Sequence, residues 1–432
     1  MTAVIGILNK TAVAIAADSA VTVSSTGDSR RKVYNTANKI FKLSKHHPIG
    51  IVIYNSASFI KTPWETIVKM YRNHITNKAF DSVGEYRESL ITYVKSQNAF
   101  YSNFAQRSCI RQLVSKLVKD VLDDTDDKLP ADIDTLSEAD QIKALLVSIK
   151  EVVTQNIDIC RKHPSTTGEF DDFTLYELKT LINCEVEKWI DSEFADFSDS
   201  SLNDLFLEYL YEYLKSDLLF GSNYSGLVFT GFGEKDIYPQ CVAVEVAEIV
   251  NGRLRYSLKV KAEISDEKTS AILPFAQRDV IDTVIYGVAP DLKRVYTGTF
   301  LDLLKKYNDS LIEVFEQAGL KPIADIIRGA DTLQYANRFN EIIRDYQLKE
   351  YEIPTRFTTA LLSKEDLAEM AESLIYLTYL KRRFTSQEES VGGPVDVAVI
   401  SKGDGFVWIK RKYYFKPELN PHFFHTYFSE SE

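Results

Sequence analysis

Apolar and polar residues change their rhythm several times along the chain. Up to residue 54 the apolar positions come in short, nearly unbroken runs, at 3–8, 11–17, 39–43 and 49–54. Runs of that length, apolar on both faces with little alternation, predict β-strands in a sheet covered on both sides. Asn9-Lys10, between the first two runs, predicts a two-residue hairpin loop. From about 57 to 217 the spacing becomes helical, as in Trp64, Ile67, Val68 and Tyr71, and again in Leu205, Tyr209, Leu210 and Tyr213. Polar stretches at 123–133 and 164–172 predict loops between these helices. Strand texture returns at 227–233, 241–250 and 254–262, and helices are predicted over roughly 275–287, 298–347 and 364–385. A last hairpin, 395–400 with 406–410, turns at Lys402-Gly403-Asp404-Gly405. Strands, helices, strands, helices, strands predict an α/β (α+β) layered sandwich, with two facing sheets and helices outside, rather than a doubly wound parallel sheet.

Composition narrows the class without naming it. Of 432 residues, 45% are hydrophobic and 26% charged, which is ordinary globular usage. No window approaches 18 consecutive apolar residues, so no transmembrane span is expected, and the N-terminus lacks the pattern of a signal peptide. Four cysteines (Cys109, Cys160, Cys184, Cys241) show no CxxC and no metal spacing; they read as buried thiols of a cytoplasmic protein. The net charge of −11 disfavours nucleic acid as a partner. It is concentrated in residues 120–199, where 21 acidic side chains face 7 basic ones. Such a block reads first as a solvated helical face and second as a docking surface. The tail after 411 is aromatic and is expected to dock on its own protein or on a neighbouring subunit. The six histidines lack ligand spacing, and Gly231-Phe232-Gly233 lacks the Lys-Ser/Thr end of a phosphate loop, so no metal or organic cofactor is called for.

Candidate chemistry begins at Thr2. Removal of Met1 would leave a hydroxyl nucleophile beside its own α-amine, whose ordinary pKa of about 7.7–8.0 suits a general base. Asp18 ends the second apolar run, and the predicted hairpin returns it towards the chain start. A cation beside the Thr2 hydroxyl would lower its pKa. Lys39 shares a strand face with Phe41 and Leu43, whereas Lys32 follows Arg30-Arg31 in an expected loop, so Lys39 is the preferred cation.

The segments Thr2-Ala-Val-Ile-Gly-Ile, Ala-Ile-Ala-Ala-Asp18-Ser19, Asn-Lys39-Ile-Phe-Lys-Leu and Ile-Gly50-Ile-Val-Ile-Tyr together resemble the N-terminal signature of proteasome β-type subunits, which are N-terminal-nucleophile hydrolases. Phe229-Thr-Gly-Phe-Gly233, Ile281-Asp-Thr-Val-Ile-Tyr-Gly287 and Ser390-Val-Gly392-Gly393-Pro continue the resemblance in order, over about 160 residues. It implies a four-layer αββα sandwich carrying a large helical insertion. The expected division is 1–56 and 221–411 as the two parts of the core, 57–220 as the insertion and 412–432 as the aromatic tail.

The implied activity is hydrolysis of peptide or amide bonds by Thr2, with Lys39 polarising its hydroxyl and Asp18 fixing Lys39. A backbone N–H at Asn55 would help hold the oxyanion, and Ser390 would support the Thr2 amine. The family usually has Gly where Asn55 stands; Val391 occupies the place of its turn serine, one residue after Ser390, and Glu388 stands where an Asp is expected. The implied partners are a peptide or protein substrate, further copies in a homo-oligomer and a protein docking on the insertion, with no membrane. A non-catalytic scaffold and a small-molecule amide hydrolase are the competing readings.

Overall fold

The structure, a computed structural model, describes residues 3–24, 31–34, 36–126, 128–129, 133, 136–181, 200–219, 223–385, 392–422 and 424–425. In chain order it begins with six strands, β1 (Val4–Asn9), β2 (Ala12–Ala17), β3 (Val21–Ser24), β4 (Arg31–Tyr34), β5 (Ile40–Lys42) and β6 (Ile49–Asn55). A minimal hairpin of β7 (Ser58–Phe59) and β8 (Thr62–Pro63) leads to helices α1 (Trp64–Ile75), α2 (Val83–Ser96), α3 (Asn103–Asp126), α4 (Glu138–Lys162), α5 (Leu175–Leu181) and α6 (Ser200–Leu214). Strands β9 (Ser225–Gly231), β10 (Gln240–Val250), β11 (Arg253–Glu263) and β12 (Ser270–Ala276) follow. Then come α7 (Arg278–Tyr286), α8 (Pro290–Gln317), α9 (Lys321–Arg328), α10 (Thr332–Gln347), α11 (Ile353–Leu361) and α12 (Lys364–Phe384). The last pair is β13 (Asp396–Ser401) and β14 (Gly405–Lys410). The class is α+β, as expected. One sheet runs β12-β1-β2-β13-β14 and the other β11-β10-β9-β6-β5.

By contacts the chain divides into two compact units. The first comprises Met1–Ala37, Ile264–Val399 and Val407–Asn420; the second Asn38–Glu263, Ile400–Phe406 and Pro421–Glu432. Every residue of β1 and β2 is buried, as their unbroken apolar runs require. In the first unit Ala3, Ile5 and Ile7 of one face, with Ala12, Ala14 and Ala16, meet Leu367, Ala371, Leu374 and Ile375 of α12. Alanine set against alanine lets helix and sheet approach closely, and the packed interior depends on that fit. A Ser363–Asp366 capping box starts α12.

The second unit holds two cores. One packs Ile49, Ile51, Leu227, Phe229 and Val244 of the sheet under Trp64, Tyr71, Tyr86 and Leu90 of α1 and α2. The other lies among α3, α4 and α6 and reaches the sheet through Val250. Each fully buried large side chain contributes about 1.5–3 kcal/mol. Gly226 sits opposite Tyr54 across the β6–β9 ladder, and a Cβ there would fall 2.0 Å from the Tyr54 ring.

Several expectations are corrected. The first hairpin does not turn on Asn9-Lys10: Asn9 belongs to β1, and its side-chain oxygen accepts the N–H groups of Thr11 (2.9 Å) and Ala12 (3.2 Å). An Asx-type turn thereby replaces the tight loop. The Asn9 amide also donates to Leu362 O (2.9 Å), fixing the hairpin to the end of α11. Lys32 lies in strand β4, paired with β3, not in a loop. The predicted 298–347 helix is three helices, beginning at Pro290 and broken after Gln317, where Gly319 takes φ 77°.

Candidate functional site

Asp18 is the anchor of the first unit's site. It is 2% exposed and immediately follows β2. One carboxylate oxygen accepts the N–H of Ala3 (2.9 Å); the other accepts those of Ala20 (3.2 Å) and Gly392 (3.2 Å). Its own N–H donates to Ala3 O (3.1 Å), so the carboxylate closes a ring at the open end of the β1–β2 ladder. The Gly392-Gly393 turn is held from both sides, because Ser19 N–H donates to Gly392 O (3.2 Å). Gly393 has φ 77°, a conformation that favours glycine at that position.

A cavity of about 240 Å³ opens beside Asp18, lined by Gly392, Gly393 and Val395 and by Ile375, Tyr376 and Tyr379 of α12. It is somewhat smaller than an ordinary ligand cleft of roughly 300–1,000 Å³. The structure thus joins Asp18, the residue after Thr2 and the Gly-Gly turn. Thr2, Ser390, Val391 and Glu388 lie outside the described residues.

Lys39 and Asn55 belong to the second unit. Lys39 is 4% exposed, just before β5, and its carbonyl accepts Ile53 N–H (2.8 Å). The burial of Lys39 agrees with the sequence pattern, although the residue precedes the strand instead of lying on its face. The Lys32 side chain lies outside the described residues. Asn55 ends β6 with φ 63°, and its side-chain amide donates to Tyr224 O (2.9 Å). Asparagine is the residue after glycine that best tolerates this left-handed backbone. We expect Asn55→Gly to change stability by no more than about 0.5 kcal/mol and Asn55→Val to cost about 1–3 kcal/mol, read by urea denaturation. Equal effects would contradict a conformational role.

Asn55 also lines a larger cavity, about 740 Å³, with Ser56, Ile60, Lys61, Cys109, Lys116 and Glu248 among its walls. The β7–β8 turn contributes Ile60 (φ 42°) and Lys61 (φ 73°). Two successive positive φ values without Gly or Asn are costly, so this turn is held by its surroundings. The Cys109 thiol is pushed up to about 11, chiefly by burial and then by Glu248, which favours the protonated thiol near neutrality. Cys160 and Cys241 are buried and likewise raised, while Cys184 lies outside the described residues.

Sequence reasoning missed three parts of the site: the Ala20 and Gly392 N–H donors, and Ser19, which is fully buried. Backbone donors leave no trace in residue type. The Gly392-Gly393 pair was legible as a turn but not as a partner of Asp18. Among the described residues no group of His, Cys, Asp or Glu is placed to hold a metal ion, and no helix is long and apolar enough to cross a membrane.

No protein-family model matches the sequence, and no curated protein matches it. Among solved structures, a Gly-1 mutant of Anbu from Hyphomicrobium sp. strain MC1 is similar over 100% of this chain and 96% of its own, at 7% identity and a TM-score of 0.28. A likeness that loose carries no argument about what this chain does.

Proposed function

We propose that this chain is an N-terminal-nucleophile hydrolase of peptide or amide bonds, acting through Thr2 after loss of Met1. The observation that carries the reading is the Asp18 clamp. A buried carboxylate grips the N–H of Ala3, the residue after the proposed nucleophile, and that of Gly392 in the Gly-Gly turn. Rigid support of that kind is what a nucleophile at a strand's beginning needs.

In the proposed reaction Thr2 Oγ attacks the substrate carbonyl while its proton passes to the Thr2 α-amine. The oxyanion accepts backbone N–H groups at Asn55, and the amine returns the proton to the leaving nitrogen as the C–N bond breaks. Water then attacks the ester, giving up a proton to the same amine, and releases the acid with Thr2 restored. Lys39 lowers the pKa of Thr2 Oγ, Asp18 orients Lys39 and the strand start, and Ser390 supports the amine. The division into core segments 1–56 and 221–411, insertion 57–220 and tail 412–432 belongs to the same reading, as do a cytoplasmic location and a homo-oligomeric state.

The test is a panel of fluorogenic peptides beside simple amides. The expected result is turnover that falls on the order of 10³-fold or more in Thr2→Ala with folding unchanged. Peptide turnover favours a peptidase, and amide-only turnover a small-molecule hydrolase. No turnover from a chain that has lost Met1 would overturn the hydrolase reading in favour of a scaffold.

A further inference from the structure

Three backbone carbonyls of the loop between β9 and β10 converge on one ammonium group. Lys402 Nζ donates to Gly233 O (2.7 Å), Glu234 O (2.8 Å) and Asp236 O (2.9 Å). All three N–H groups of the lysine are thereby committed to neutral oxygens. The Asp236 carboxylate is engaged by other donors: one oxygen accepts Gly233 N–H (2.8 Å) and the other the Gln240 side-chain amide (2.7 Å). All of these residues belong to the second unit. A set of converging carbonyls is how proteins replace the water shell of a potassium ion.

Contacts that do not involve Lys402 also shape the loop. Gly231 takes φ 137°, and a Cβ there would lie 2.1 Å from Pro48 O. A Cβ on Gly233 would lie 2.3 Å from Asp81 O, so both positions need glycine for close passage of backbone. The N–H groups of Phe232, Glu234 and Lys235 donate to Pro48 O (2.9 Å), Phe80 O (2.9 Å) and Asp81 O (3.1 Å). Gly233 O also accepts Asp236 N–H (3.3 Å), which closes the turn. Those bonds hold the carbonyls at 233, 234 and 236 close together, where their dipoles repel one another unless a cation lies between them.

We infer that the 233–236 loop is a binding site for a monovalent cation of ammonium size, potassium or ammonium itself, which this chain fills with its own Lys402. The oxygens stand 2.7–2.9 Å from the ammonium nitrogen. A magnesium ion needs about 2.0–2.1 Å and a calcium ion about 2.3–2.6 Å, usually with carboxylates among the ligands. Neutral carbonyls at the longer spacing suit the larger, singly charged ion. Lys402 is exposed at its turn, so an ion from solution can reach the loop once the side chain is shortened. The inference does not rest on the hydrolase reading.

The test is thermal unfolding of the full chain as wild type, Lys402→Ala and Lys402→Met. Each is measured in potassium, ammonium and choline chloride at one concentration of about 0.3 M, which keeps screening equal. Relative to wild type in the same salt, Lys402→Ala should lose about 2–5 °C in choline. It should regain most of that loss in potassium and in ammonium, because either ion fits the vacated position and choline does not. Lys402→Met should lose as much and regain nothing, since its side chain occupies the position without a charge. A Lys402→Ala midpoint equal to wild type in choline, no gain in potassium over choline, or an equal gain in Lys402→Met would each overturn the proposal. Should Lys402→Ala be unfolded in choline, potassium must fold it; a chain unfolded in both salts also overturns the proposal.

Discussion

Replacing Arg255 with leucine is expected to cost about 3–5 kcal/mol, a large part of an ordinary domain's stability. Arg255 on β11 is 2% exposed and faces Glu248 of β10, itself 6% exposed, at 3.4 Å. Its guanidinium also donates to Tyr213 O (2.8 Å) and to Leu218 O, at and just beyond the end of α6. The guanidinium carbon lies 4.1 Å from the centre of the Tyr213 ring. One side chain therefore neutralises a buried carboxylate and satisfies carbonyls that the helix end leaves open. Leucine keeps the bulk but removes all of these donors. Arg255→Leu combined with Glu248→Leu should be more stable than Arg255→Leu alone, because the unpaired charge goes with its partner. Urea denaturation of the three proteins decides it: a loss below 1 kcal/mol, or no recovery in the double variant, would contradict this role.

The second large effect is expected at Asp18. Asp18→Ala leaves the buried N–H groups of Ala3 and Ala20 and the part-buried one of Gly392 without this acceptor. Each unsatisfied donor costs roughly 1–3 kcal/mol, so a total of about 3 kcal/mol or more is expected. Asp18→Asn should fall between alanine and the wild type. Its one oxygen can still accept from Ala3, but its NH₂ must then confront the other two donors. Hydrogen exchange at Ala3 and Gly392 should accelerate in both variants, more in alanine. If Thr2 is the nucleophile, kcat should fall further than the stability loss explains, with KM little changed. Unchanged exchange at Ala3 would contradict the clamp.

Much of the fold was legible because burial on both faces writes itself directly into composition. The runs around Ile5, Ile15 and Ile51 left strands as the natural solution, and the Trp64–Tyr71 spacing gave α1. What stayed hidden rests on backbone and long-range terms. Strands β3 and β4 carry polar residues such as Thr22, Ser24, Arg31 and Lys32, which local pattern assigns to loops. The Asn9 turn depends on a side chain replacing a backbone acceptor. Arg255 sits in Arg-Leu-Arg-Tyr, where nothing local distinguishes it from the less buried Arg253. At the candidate site Asp18, Lys39 and Asn55 could be singled out from residue type and pattern; the structure gives Asp18 and Lys39 buried positions and Asn55 a left-handed backbone. The donors that hold Asp18 could not, since an N–H is common to every residue but proline.

The most direct measurement is the intact mass of the purified protein after treatment with a peptide epoxyketone, which needs both a free α-amine and the adjacent hydroxyl to form its stable ring. The predicted result is loss of Met1 and a single adduct, absent from Thr2→Ala. A chain that retains Met1, or an adduct that persists in Thr2→Ala, would contradict Thr2 as the nucleophile.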